Sequence, residues 1–104
     1  MNKEIKKLWI DALRGGEYKK GIGELHPSED TYCCLGVLTD LYCKQFNIFG
    51  DNLLSRGTLP SVVMDWADLI SSDPRVNDIN LSEINDDLEN HSFSKIADLI
   101  EEYL

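Results

Sequence analysis

Long apolar runs are missing from the 104 residues: nothing approaches the roughly 18 to 20 consecutive apolar positions of a membrane span. The opening Met1-Asn2-Lys3-Glu4 begins an amphipathic stretch rather than a signal peptide, so the chain is expected to stay in the cytosol, away from membranes. Cysteine is scarce and badly placed for bridging. Cys33, Cys34 and Cys43 are odd in number, and an adjacent pair rarely closes a disulfide in a regular element, so reduced thiols are expected. No Cys-x-x-Cys pair exists, and His26 and His91 stand 65 positions apart without ligand-type spacing to the thiols, so no metal is expected. No Gly-x-Gly-x-x-Gly fingerprint or phosphate-binding P-loop occurs, and Gly21-Ile22-Gly23 alone is a weak substitute; no cofactor is expected. Internal repeats and low-complexity tracts are also absent.

What is present is the composition of one folded domain over residues 1–104, at 42% hydrophobic and 28% charged. Basic residues become rare after the first quarter. Residues 1–26 carry six basic and four acidic side chains, net +2, whereas residues 27–104 carry four basic and fifteen acidic, net −11, for a total of −9. Duplex binding depends on Lys and Arg contacts to phosphate, so the acidic body argues against duplex nucleic acid. A local basic wall can still hold one small anion, because screening confines each field to roughly 8–10 Å.

Hydrophobic periodicity predicts an α+β fold, mostly helical, with about four helices and a small β-hairpin after the first. Ile5, Leu8, Trp9, Ala12 and Leu13 form a stripe that predicts helix 1 over about residues 2–14, stopped by Gly15-Gly16. From Glu17 to Cys33 the pattern alternates around a turn-rich His26-Pro27-Ser28-Glu29-Asp30 and predicts the hairpin. Gly21 and Gly23 weaken a strand and mark a bulge or a close approach to the backbone. Cys34 to about Gln45 is apolar around most of its surface and predicts a central helix, with Gly36 at a tight contact. Phe46 to Thr58 is expected to be loop. Leu59-Pro60 opens a third helix with Val62, Val63, Trp66, Ala67 and Ile70 as its buried stripe, ended by Ser71-Ser72-Asp73-Pro74. An irregular segment follows, with Val76, Ile79, Leu81 and Ile84 as anchors and a helical turn or two over Leu81–Asp87. Ser92 caps the last helix, which carries Phe93, Ile96, Ala97, Ile100 and Leu104 toward the core.

No side chains form a persuasive catalytic set. Cys33 or Cys34 stands at the entrance of the central helix, where a thiol pKa can fall, but both neighbour Leu-Gly-Val-Leu, and core packing is the expected role. Asp86-Asp87 and the pair Asp65 and Asp68 read mainly as surface carboxylates, while Asn85 and Asp86, in a polar loop between apolar anchors, are candidates for ligand contact. Trp9 and Trp66 fall on helix stripes and are expected in the core. Tyr18 and Tyr32 sit beside Lys19, Lys20 and the glycines, where aromatics and cations together can grip a nucleotide.

Several of these motifs resemble a widespread family of small proteins from tailed phages and prophages. They are Trp9, Ala12-Leu13-Arg14-Gly15-Gly16-Glu17-Tyr18, Tyr32-Cys33-Cys34-Leu35-Gly36-Val37-Leu38, Leu59-Pro60 with Trp66, and Ile84-Asn85-Asp86 followed by Phe93 and Ile96 to Glu101. The chain departs from the pattern at Thr39, where another Cys is common, and in a longer loop after Asp86. The resemblance implies a phage accessory protein in the cytoplasm of an infected bacterium and implies no particular activity. The first functional reading is counter-defence by sequestering a small nucleotide-type host signal, with the protein as a homo-oligomer. Arg14, Tyr18, Lys20 and Tyr32 would grip the anion and Asn85 and Asp86 read ribose or base edges. The alternative is an acidic inhibitor that mimics DNA or meets a basic host protein. A third reading, a small hydrolase built on Cys33 or Cys34, ranks last; a non-enzyme is expected.

Overall fold

The computed structural model describes residues 1–87 and 89–104. In chain order the elements are α1 (Lys3–Arg14), β1 (Lys19–Lys20), β2 (Thr31–Tyr32), α2 (Cys34–Phe46), α3 (Asp51–Leu54), α4 (Ser61–Ala67), β3 (Arg75–Val76), β4 (Ile79–Asn80), α5 (Leu81–Asn85) and α6 (Phe93–Tyr103). The class is α+β and mostly helical, as the periodicity predicts. The short helix α3 falls inside the segment expected to be loop, and α5 supplies the helical turn expected within Leu81–Asp87. No described helix is long and apolar enough to cross a membrane.

The helix ends follow local chemistry. Asn2 caps α1 by accepting from the backbone N–H of Glu4 and Ile5, at 2.9 and 3.0 Å. Ser92 caps α6 by accepting from Lys95 N. Asn47 ends α2 and Asp68 ends α4 in the left-handed conformation, at φ 53° and 57°. The early stop at Asp68 shortens the expected third helix: Val63 and Ala67 are buried, but Val62 is 43% exposed and Ile70 wholly so. In α1, Ile10 takes the core position expected of Leu8, which is half exposed.

One buried cluster draws on all six helices, around Trp9, Leu25, Leu35, Leu38, Leu81, Ile96 and Ile100. Helix α1 lies along α6 and touches α2. Trp9 Nε1 donates to Cys34 O at 2.9 Å, which satisfies its polar edge inside the core. Leu25 is fully buried and presses its backbone on the first turn of α2: a Cβ added to Gly36 would lie 1.8 Å from Leu25 O. This contact makes glycine obligatory at position 36.

The same burial changes the expected hairpin. Strands β1 and β2 do pair, but in parallel, with Lys19 opposite Thr31 and Lys20 opposite Tyr32. Because Leu25 must enter the core and bond to Arg56 O through its N–H and to Cys33 N through its carbonyl, the loop over residues 21–30 folds inward instead of reversing tightly. The antiparallel hairpin lies elsewhere, where β3 and β4 pair Arg75 with Asn80 and Val76 with Ile79. Its two-residue turn, Asn77-Asp78, has both φ angles positive, the requirement of a type I′ turn.

Candidate functional site

The six residues singled out from sequence separate into three neighbourhoods. The first surrounds the loop over residues 21–30. Asn85 is fully buried, accepting from Cys34 N at 2.9 Å and donating to Gly21 O at 2.9 Å and Asp86 Oδ1 at 3.3 Å. Cys34 N is one of the orphan donors at the start of α2, so Asn85 completes that helix end from outside. Asp86 Oδ1 accepts from Gly23 N at 3.2 Å. Both residues staple α5 to the loop, and the polar atoms of Asn85 expected at a ligand are bonded within the protein. The close approach signalled by Gly21 is also internal: a Cβ there would lie 2.6 Å from Pro27 and Thr31.

The second neighbourhood is aromatic. Tyr18 and Tyr32 meet edge to face, 5.1 Å between centroids, and His26 stacks on Tyr32 at 4.1 Å. Tyr18 donates its hydroxyl to Asp40 at 2.5 Å and accepts from Lys44 Nζ at 3.1 Å, while that ammonium sits 5.0 Å from the Tyr18 ring centroid. Burial and then the Asp40 carboxylate push both tyrosine hydroxyls upward. The two tyrosines thus come together, with ring surface spent on each other and on His26.

The third is electrostatic. Arg14 reaches α6, pairing with Asp98 at 2.6 Å and Glu101 at 3.4 Å, and these partners raise its pKa. Lys20 donates to the carbonyls of Asp87 and His91 at 3.1 and 2.5 Å. Arg14, Tyr18 and Lys20 line three different surface grooves, of about 320, 350 and 330 Å³. They do not converge on one.

The thiols lie inside the protein. Cys33 caps α2, its Sγ accepting from Gly36 N at 3.3 Å, and burial pushes this thiol up to about 11. Cys34 is fully buried, its thiol directed at Leu81 O, and burial raises it well above the ordinary range. Among the described residues no group of three or more His, Cys, Asp or Glu side chains is placed to hold a metal ion.

A further surface escaped the sequence reading. Tyr42 and Phe46 of α2 meet Trp66 of α4, with centroids 4.9, 5.5 and 6.4 Å apart. Phe46 is 48% exposed, and Phe49, just past the left-handed cap at Asn47, is 94% exposed. Val62 lies one turn before Trp66 on α4, and exposed Asp65 stands beside them. Trp66, expected in the core, is only partly buried, as is Tyr42, and the two form the floor of this face. The signal was three apolar residues, Phe46, Ile48 and Phe49, in a segment too short and polar to bury them.

The fold defines a mostly helical α+β protein with two small sheets, whose unspent surface is aromatic and acidic rather than a shared pocket. The chain belongs to the family described as Domain of unknown function (DUF8296), whose model matches residues 1–104. No curated protein and no solved structure matches it.

Proposed function

We propose that this protein is an acidic, non-catalytic binding module that docks a basic protein partner through the face of Tyr42, Phe46, Phe49, Val62 and Trp66. The observation that carries the reading is the solvent-open aromatic cluster of Tyr42, Phe46 and Trp66, with Phe46 48% exposed and Phe49, three residues further along the chain, 94% exposed. Contiguous exposed apolar surface marks interaction sites, and aromatic anchors supply most of the energy of such contacts. Charge selects the partner. Residues 27–104, which contain the whole face, carry −11, so a Lys- and Arg-rich surface is attracted, whereas two copies at −9 each repel. In the infected bacterial cell that the phage resemblance implies, such a module would act as a counter-defence inhibitor of a host protein. Sequestration of a nucleotide-type signal by Arg14, Tyr18, Lys20, Tyr32, Asn85 and Asp86 needs those side chains to face one cavity, and they line three grooves or are bonded internally.

The test is a quantitative capture from host lysate with the wild-type chain and with a Phe46→Ser/Phe49→Ser variant. A basic partner retained by the wild type, released by moderate salt and lost from the variant is expected. A partner set identical for both chains would remove the reading.

A further inference from the structure

The most concentrated positive charge lies on neither the aromatic face nor the strand pair. Lys3, Lys6, Lys7 and Arg14, four of the ten basic residues, line one groove between α1 and α6 together with Ile10, Asp11 and Glu101. Their spacing of i, i+3, i+4 and i+11 makes a single stripe about 16 Å long at 1.5 Å per residue. The groove holds about 320 Å³, near the lower end of the roughly 300–1,000 Å³ typical of small-ligand sites.

Carboxylates of the chain already occupy this stripe. Arg14 spreads its two terminal nitrogens over Asp98 and Glu101, the fork geometry in which arginine also grips phosphate. Lys7 pairs with Asp11 at 2.7 Å, and Lys6 donates to the backbone carbonyl of Glu101. The Glu101 contact is long, 3.4 Å, and its side chain is 62% exposed. Exposed pairs of this kind contribute about 0–1 kcal/mol each, so a doubly charged ligand loses little by displacing them.

We infer that the α1–α6 groove is a binding site for a compact ligand carrying two or more phosphoryl groups, with Glu101 as an internal competitor for Arg14. A single phosphate is short against a 16 Å stripe, and a polynucleotide would meet the acidic body, so a small ligand with two or more phosphoryl groups fits best. This site goes beyond the partner-docking reading and is independent of it. It keeps the anionic ligand class expected from sequence and one of its residues, Arg14, while moving the site from the strands to α1.

Calorimetric titration with ADP at low ionic strength tests it, with adenosine and inorganic pyrophosphate as comparison arms. Saturable binding of ADP and of pyrophosphate is expected, with adenosine silent. Arg14→Gln and Lys6→Gln each weaken ADP binding about tenfold, the scale of a charge-assisted contact. Glu101→Gln tightens it about threefold, the worth of one exposed pair, while Glu102→Gln leaves it unchanged although the net charge changes equally. Phe46→Ser/Phe49→Ser binds ADP as the wild type does, which separates this site from the docking face. Absence of saturable ADP binding overturns the inference. So do equal shifts from Glu101→Gln and Glu102→Gln, which reduce the effect to net charge, and a loss from Lys20→Ala as large as that from Arg14→Gln.

Discussion

Asn85 spends both ends of its amide inside the protein, holding Cys34 N and Gly21 O at 2.9 Å each. Asn85→Ala leaves the buried Cys34 N–H without a partner, at about 1–3 kcal/mol, and frees the part-buried Gly21 carbonyl at less, so the expected loss is about 1–4 kcal/mol in a urea titration. A residue whose role was ligand contact would leave the unliganded midpoint unchanged, so an unaltered midpoint reverses the assignment. Residue identity alone did not separate these roles. Asn in a polar loop serves a helix end, a turn or a ligand equally well, and only its burial decides. Cys33 was legible to the level of its position, since a residue at the entrance of α2 was expected from the apolar run that follows. That its thiol caps the helix depends on a 3.3 Å contact no spacing reveals.

Among the elements, α2 shows what sequence controls well. Its boundaries fall within a residue of the periodicity, and Gly36 signalled a tight contact in advance. Gly36→Ala gains about 1 kcal/mol of helix propensity but drives a Cβ to 1.8 Å from Leu25 O. The Leu25 carbonyl must then shift and loosen its bond from Cys33 N, now 3.0 Å. Overpacking of this kind costs about 1–3 kcal/mol, so the net change is destabilising despite the propensity gain. A midpoint equal to or above the wild type would show that the loop yields freely. The strand pairs were less legible. Two-residue strands carry almost no period, and the direction of β2 depends on Leu25 entering the core, a long-range event. The β3–β4 turn was readable in principle, because Asn77-Asp78 are residues that tolerate positive φ, but Val76 and Ile79 looked like isolated anchors rather than opposite partners.

Over the whole molecule, the shifted thiols and phenols agree in direction. Burial raises the thiols of Cys33, Cys34 and Cys43, and burial with Asp40 raises the hydroxyls of Tyr18 and Tyr32. Each of these groups is neutral when protonated, so the unfolded chain deprotonates first as pH rises. The stability they confer is whole below the unfolded pKa and falls as pH climbs toward the folded one. For Cys33 that window runs from 9.0 to about 11, a loss of about 3 kcal/mol at most for this thiol alone. Such a loss is large against a typical stability of about 5–15 kcal/mol, and self-repulsion in a chain already at −9 grows over the same range. Urea midpoints measured at pH 7, 9 and 10.5 are therefore expected to fall steeply between the last two. Cys33→Ser keeps an N-capping oxygen and removes one titrating group, so it should hold the midpoint at pH 7 and flatten the alkaline decline. Parallel declines in the two proteins would mean that the Cys33 thiol is not held protonated by the fold, and the account of the α2 entrance as a buried cap would fail with it.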